Sequence, residues 1–313
     1  MRHIAWLLVV LALGAQAEEW PTKPIRWLVP FAPGGPADVV ARILAAALSD
    51  RTGQPNVVEN QPGAGGNIAH AAASKSPADG HTLVFVVPSV ITNPFYMKAA
   101  VDPFRDLAPI IHLDNASMVL IANPAFPPAT LADVLAEIKA HPGRVTCGAS
   151  GALPSVGCEL LRAHAGADVL MVMYKGNAPA LNALMAGEIN LLFDVVNIAL
   201  GHIKSGRVRA IASTAPKRGA GALGDIPVLA ETIPGFELVT WHGVMMSPEA
   251  PKPLVERVNR ELNAVLQRAD VRERFANSQL QITGGTPEDF AAILLRDYDK
   301  YGAALRSAGV KPE

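Results

Sequence analysis

The sequence predicts an α/β protein folded as two lobes with a cleft between them. Three observations carry this. Strand-like and helix-like stretches alternate along the chain, the order that lays strands into mostly parallel sheets flanked by helices. Residues 82–87 form a continuous apolar run, as in a strand covered on both faces. Residues from about 123 to 236 make a self-sufficient set of strands and helices, so the flanking segments are left to share a second sheet. The expected division is 18–122 plus 237–313 for the first lobe and 123–236 for the second.

The first 17 residues read as an address and stand outside the fold. Arg2 supplies a positive start, residues 4–14 are almost entirely apolar, and Ala15-Gln16-Ala17 sets small residues at the cleavage positions. The apolar run is too short to span a bilayer and is followed at once by Glu18 and Glu19, which is the pattern of a secretory signal peptide. Without a Cys at the cleavage point a lipoprotein is disfavoured. No later segment reaches the roughly 18 uninterrupted apolar residues of a membrane span.

The elements follow in order. Residues 25–29 read as a strand, and 37–48 as a helix with Val39, Val40, Ile43, Leu44, Ala47 and Leu48 at helical spacing. A short strand at 56–59 and an Ala-rich helix at 67–74 come next. After the 82–87 strand, 118–122 forms another. Thr130 caps a helix running to Ala140, with Asp133 placed to complete a capping box. Strands at 145–148, 169–174, 189–194 and 208–213 alternate with helices at 155–164, 178–186 and 197–204. Loops rich in Gly and Pro lead to strands at 237–241 and 243–246. Two or three helices finish the chain, the last capped by Thr286 with Pro287 in its first turn. There is no internal repeat and no low-complexity tract.

Composition narrows the function. The chain has 313 residues, 50% hydrophobic and 18% charged, with 27 Lys+Arg against 28 Asp+Glu. The length suits two domains of about 150 residues, and without a basic surplus nucleic acid is excluded as a partner. Two Cys rule out a disulfide-rich scaffold and a multi-thiolate metal site. Cys147 and Cys158 stand 11 positions apart; an exported chain permits a bridge, but spacing leaves open whether they form one. The eight His are dispersed, and each reads as a surface or hydrogen-bonded residue in preference to a metal ligand. No HExxH, GxSxG, phosphate-loop or paired-Cys motif appears. Hence no catalytic residue, metal or cofactor is assigned.

What recurs is a Gly-rich turn between a strand and a helix. Phe31-Ala32-Pro33-Gly34-Gly35-Pro36-Ala37-Asp38 opens the first helix, and Pro62-Gly63-Ala64-Gly65-Gly66-Asn67 the second. Gly148-Ala149-Ser150-Gly151 leads towards Ser155, and Tyr174-Lys175-Gly176-Asn177-Ala178 opens a fourth helix. Glycine lets backbone N–H groups come close to a ligand, and a helix N-terminus offers unpaired donors and partial positive charge. One such loop is an ordinary tight turn. Four, two from each lobe, make an anion site that needs little help from Arg or Lys.

The stretch 30–38, then Ala41-Arg42, then Val58-Glu59-Asn60-Gln61-Pro62-Gly63-Ala64-Gly65-Gly66-Asn67-Ile68, resembles the substrate-binding proteins of tripartite tricarboxylate transporters, the Bug receptors. Further matches follow at Ala78-Asp79-Gly80-His81-Thr82-Leu83, Tyr174-Lys175-Gly176, Phe193-Asp194, His202-Ile203-Lys204-Ser205-Gly206, Asp225-Ile226-Pro227, Pro234-Gly235-Phe236, Gly284-Gly285-Thr286-Pro287-Glu288-Asp289-Phe290 and Ala308-Gly309-Val310-Lys311-Pro312. The resemblance covers essentially the whole mature chain. It implies a type II periplasmic binding protein whose two α/β lobes close on a small carboxylate, and delivery of that cargo to the permease subunits of a tripartite transporter. A monomer located in the periplasm is expected.

By the same match, Phe31, Ala32, Gly34, Gly35 and Asp38 belong to the region that holds the first carboxylate, with Gly65 and Gly66 nearby and Ser89 as a hydroxyl donor. Ser150, Gly151, Ser155, Lys175, Gly176, Ala178 and Asp194 fall at matching positions of the second lobe. Asp194 reads equally as an acceptor for a cargo amino or hydroxyl group and as a hinge hydrogen bond. Two departures stand out. Pro36 replaces a small or hydroxyl residue, and Pro154-Ser155 replaces Ser/Thr followed by His, which removes donors from the second-lobe wall. Asn177 and Trp241-His242 are further candidates for the cleft edge.

Two other readings are open at this level: a sensor that presents ligand to a membrane kinase, and an exported enzyme with Asp194 as base and Ser155 as nucleophile. Nothing in the sequence orients a His towards either residue. For the receptor, Gly35→Asp is expected to weaken carboxylate binding severely while leaving the fold intact, because it adds an anion at the anion site. Calorimetry checks this, and an unchanged affinity contradicts the placement.

Overall fold

Three parallel strands set the first half of the molecule: β1 (Ile25–Val29), β2 (Asn56–Asn60) and β3 (Thr82–Val86), with β1 in the middle. The structure is a computed structural model and describes residues 20–174, 176–215, 218, 223–224, 226–234, 236 and 238–307. The signal-peptide reading, Lys175, Asp225, Gly235, Glu237 and the motif from Ala308 onwards lie outside those residues. Helices α1 (Pro36–Thr52) and α2 (Asn67–Ser74) make the crossovers. α1 starts with Pro36 at its first position and stops at Gly53, whose left-handed φ of 70° lets its N–H cap the Ser49 carbonyl. Its buried stripe of Val40, Ala41, Leu44 and Leu48 shares one core with Val255, Val258 and Leu262 of α9 (Lys252–Leu266). Val39, counted in that stripe from spacing alone, is on the exposed face.

The second half repeats the scheme. β5 (Thr146–Ala149) lies between β6 (Leu170–Met173) and β7 (Leu191–Val195), all parallel, with α5 (Ala152–Ala165) and α6 (Asn177–Ala186) as crossovers. α7 (Val196–Lys204) leads to β8 (Arg209–Ser213). The Thr130–Asp133 capping box at the start of α4 (Leu131–Ala140) forms with both bonds present. Cys147 and Cys158 are bridged, with their Cα atoms 5.9 Å apart, tying β5 to α5. Gly157 sits mid-helix because a Cβ there would come within 2.6 Å of the Phe193 ring. The cost of glycine in a helix interior is offset by this close seating of α5 on β7.

One strand belongs to both halves. β4 (Ala108–Ala122) runs for 15 residues, of which the sequence reading identified only the last five. Residues 108–117 pair with β9 (Val239–Met246), and Asp114 and Asn115 also pair with β10 (Gln281–Ile282). Residues 118–122 pair with β7 and β8. The early part was illegible because His112, Asp114 and Asn115 break any apolar pattern. The fold buries His112 and Asp114, leaves Asn115 half-buried, and ties the strand to distant partners at Asp114 and at its own backbone. His242 Nδ1 lies 2.9 Å from an Asp114 carboxylate oxygen, and the Asn259 side chain donates to the Ile110 carbonyl at 2.8 Å.

The expectation of mostly parallel sheets needs correction. Every pairing of β4 and β9 among the described residues is antiparallel, so the sheet is mixed. Both strands are returns between the halves, without a βαβ crossover of their own, and nothing holds them to the parallel sense. β9 is also one strand where two short ones were expected.

α3 (Ser89–Thr92) and α8 (Leu229–Thr232) are single turns, and α10 (Ala269–Asn277) precedes β10. The final helix, α11 (Pro287–Ser307), has Thr286 as its capping residue: the Asp289 N–H donates to the Thr286 hydroxyl at 3.1 Å. Leu294, Tyr301 and Leu305 of α11 share a buried cluster with Leu153, Val156 and Leu161 of α5. Each such side chain contributes about 1.5–3 kcal/mol by burial, so α11 holds the two halves against each other.

Reduction of the Cys147–Cys158 bridge is expected to cost about 3 kcal/mol, the typical value for a short closed loop. Urea denaturation with and without reductant measures it. An unchanged midpoint contradicts a structural role.

Candidate ligand-binding site

The register of the first trio brings its carboxyl ends together: Val29 lies beside Asn60, and Leu28 beside Val84. From this edge rise the 30–36 loop, the tight turn Ala64–Gly66 and the segment starting at Ser89. Asp38 organises the first loop. Its carboxylate is buried and accepts from the Gly34 N–H at 2.9 Å, Arg42 Nε at 2.9 Å and the Asn60 amide at 2.8 Å. The Arg42 hydrogen bond, with help from the Gly34 and Asn60 donors, holds Asp38 down to about 2. Asn60 also donates to the Phe31 carbonyl at 3.0 Å. The expected ligand residues Gly34 and Asp38 thus engage each other, and Asp38 shapes the loop from inside. Phe31 is half-buried and Ala32 exposed.

Gly35 is the N-cap of α1, with φ −76°, a conformation open to any residue. A Cβ there would meet only the Ala32 carbonyl oxygen, 3.6 Å away. In the second loop glycine is required: Gly63, Gly65 and Gly66 have φ of 133°, 63° and 101°. A Cβ on Gly65 would lie 2.8 Å from the Asn93 side chain, which donates to the Gly65 carbonyl at 3.0 Å and to the Asn67 side chain at 3.2 Å. Ser89 Oγ is buried and has no partner.

The second trio ends the same way, with Ala149 beside Met173 and Gly148 beside Leu192. Ser150 and Gly151 lead into α5, Gly176 caps α6, Ala178 is exposed in its first turn, and Asp194 is near the end of β7. Space is open around Gly151 and Gly176, where a Cβ would meet nothing within 4 Å. The Ser155 hydroxyl is buried at the start of α5, where it donates to the Gly151 carbonyl at 2.9 Å and also meets Met173 Sδ at 3.5 Å and the Tyr96 side chain.

Asp194 is the chemical opposite of Asp38. It is fully buried; one oxygen accepts from the Val195 N–H at 2.8 Å and from the Asn177 side chain, and the other has no partner. Burial pushes its carboxyl up to about 6, against the lowering effect of the Val195 and Asn177 hydrogen bonds.

A chain of contacts joins the two edges. Asn93 grips the Gly65 loop, and three residues later Tyr96 Oη reaches the Ala152 carbonyl at the start of α5 through a long, 3.5 Å hydrogen bond. The second glycine loop and the Ser150–Gly151 loop therefore face the same region. Trp241 and His242 are not at its edge: Trp241 is buried against Phe290 and donates to Asp297, and His242 is buried on Asp114. Of the residues that hold the site together, Asn60 stood in the quoted motif with no role assigned. Asn93 carried no sequence signal, because its partners are 26 and 28 positions away. Among the described residues no group of three or more His, Cys, Asp or Glu converges as a metal site, and no helix is long and apolar enough to cross a membrane.

The model of the tripartite tricarboxylate transporter family receptors matches residues 40–310. The chain belongs to this family. It is 32% identical to the protein BugT of Bordetella pertussis over 310 residues, which covers 96% of this chain and 94% of BugT. The solved structure of R. palustris Rpa4515 with adipate superposes with a TM-score of 0.82 at 29% identity, covering 94% of this chain and all of that one. MatC of Rhodopseudomonas palustris with bound malate gives 0.77 at 27% identity, with 91% and 100% covered. The periplasmic binding protein BugD gives 0.78 at 30%, with 94% and 100% covered. The fold is that of the periplasmic binding proteins, and the family consists of binding receptors, not enzymes. The Asp194–Ser155 enzyme reading falls with this.

Three of the helix starts share a feature. Each of α1, α5 and α6 carries a proline in its first turn, at Pro36, Pro154 and Pro179. A proline fits there because the N–H it lacks has no intrahelical partner. It also removes one free donor from each end, so an anion at these helices must rely on fewer N–H groups.

Asp194→Asn tests the burial argument. A folded value of about 6 against the ordinary 3.8 means the folded state holds this proton more tightly. The resulting stabilisation is complete below about pH 4 and is lost as pH rises through about 6. The variant lacks this dependence, so its stability relative to the parent should rise by roughly 2–3 kcal/mol between about pH 4 and pH 7. Parallel pH profiles for the two proteins contradict it.

Proposed function

We propose that this protein is a periplasmic receptor that captures a small carboxylate-bearing metabolite and delivers it to a tripartite tricarboxylate-type membrane permease. The observation that carries this reading is the set of glycine N-caps at Gly35, Gly151 and Gly176, drawn from both strand trios and each with room for a side chain that it lacks. The bound adipate and malate of the related structures support carboxylate as the cargo class. The protein is exported by a cleaved signal peptide and works as a monomer.

Residues 18–122 with 237–313 form one lobe and 123–236 the other; the change of partners in β4 supports two lobes, and it comes near Ser117, with residues 118–122 already paired to strands of the second. One carboxylate of the cargo sits on Phe31, Ala32 and Gly35 with Gly65 and Gly66 alongside, while Ser89 donates its free hydroxyl. Ser150, Gly151, Gly176, Ala178 and Asp194 meet the far end. The unpaired Asp194 oxygen favours a cargo that has a hydroxyl or amino group to donate to it.

Cargo touches both lobes only when they are closed, so binding shifts the population towards closure by its differential affinity. The permease then distinguishes loaded receptor from empty. Hydrogen bonds to a carboxylate contribute about 1.5–3 kcal/mol each. A few of them, less the cost of association, give micromolar affinity or better.

Native mass spectrometry of gently purified protein, followed by a thermal-shift screen of mono-, di- and tricarboxylates and amino acids, tests the reading. A retained small acid or a clear upward shift with a carboxylate is the expected result. A clean apo mass with no shift across the panel overturns it.

A further inference from the structure

His70 has a property that no other imidazole among the described residues shares: it is fully buried, and neither Nδ1 nor Nε2 has a hydrogen-bond partner. Buried polar groups in folded proteins are paired in the great majority of cases, so two orphaned nitrogens on one ring point to a partner supplied from outside the chain. The ring is placed to find one at the candidate site. His70 is the fourth residue of α2, the helix that the second glycine loop opens. Helical side chains lean towards the N-terminus, and this one does: a Cβ built on Gly66 would lie 3.0 Å from His70 Cε1 and 3.4 Å from Nε2. The same point lies 3.1 Å from Cβ of Pro30, the residue that follows β1. The Nε2 edge therefore lies where the second glycine loop meets the start of the first. Burial pulls the imidazole down to about 4. Near neutral pH it is an uncharged group with one N–H and one lone pair.

We propose that His70 is a cargo-contacting specificity residue whose Nε2–H donates to the inner carboxylate of the bound acid, at the floor of the two first-lobe glycine loops. The proposal rests on the receptor reading above. A neutral donor adds direction and selectivity for a carboxylate without the strong, slowly released grip of a cation, which suits a receptor that must hand its cargo on. It also compensates for the donor that Pro36 removes from α1.

The test uses the intact protein with adipate and malate as probes. In 15N-histidine-labelled protein, saturation with a probe should move the His70 Nε2 resonance. By calorimetry, His70→Phe should bind the probe at least about tenfold more weakly, the loss of one hydrogen bond to a charged group, with no loss of melting temperature. His70→Gln, whose amide reaches to about the same place, should recover part of the affinity. An imidazole that stays unmoved while the parent protein binds, or His70→Phe binding as the parent does, overturns the role of His70 alone. Should His70→Phe fail to fold, the labelled parent and His70→Gln decide. A parent protein blind to both probes and to the wider carboxylate panel overturns the receptor reading, and this proposal with it.

Discussion

The continuity of β4 is the constraint on which the rest of the structure depends. A single strand of 15 residues completes one sheet with its first ten and another with its last five. Backbone hydrogen bonds are obligatory for buried chain, so neither sheet can form without its share of this strand. The two strand trios are held on either side of it with their carboxyl ends turned to a common region. Asp114, one of the polar residues that break the apolar pattern, ties the strand to β9 through His242, and Asn259 ties it to α9 through the Ile110 carbonyl. α11 adds a second link by packing on β4 and α5 together.

Two carboxylates show how the site divides support from readiness. Asp38 and Asp194 are both buried, yet Asp38 is held near 2 by an arginine and two further donors, while Asp194 is raised to about 6 by burial with one oxygen unpaired. A saturated carboxylate keeps a loop in shape. An unsaturated one retains the capacity to accept a new hydrogen bond, and the desolvation it suffers in the empty protein is relieved when a donor arrives. Ser89 Oγ and the His70 nitrogens share this condition. Asp194, Ser89 and His70 thus set buried, unpaired polar atoms beside the glycine loops.

Helix starts supply the remaining chemistry. Gly35, Gly151 and Gly176 differ in backbone conformation, and only Gly176, with φ of 109°, needs glycine for its torsion. What the three share is room for a side chain: nothing within 4 Å at Gly151 and Gly176, and only an ordinary contact with the Ala32 carbonyl oxygen at Gly35. Absence of a side chain, more than backbone freedom, is the useful property at these positions. The first-turn prolines temper it by limiting the number of N–H donors on offer.

Local signals settled much of this protein from sequence alone. β1, α2 and the Thr130 capping box appear where spacing and capping chemistry put them, because a turn residue or a cap acts within a few positions of itself. The glycine loops and their family resemblance were legible for the same reason. Tertiary structure decided what depends on partners far along the chain. It extended β4 through polar residues, turned β4 and β9 antiparallel, and closed the Cys147–Cys158 bridge that spacing had left open. It set the Ser155 hydroxyl among Gly151, Met173 and Tyr96, bound Asp38 to its own loop, and left His70 buried and unpaired. A side chain's role in a site is set by which groups surround it and which are missing, and that is a property of packing that no local pattern encodes.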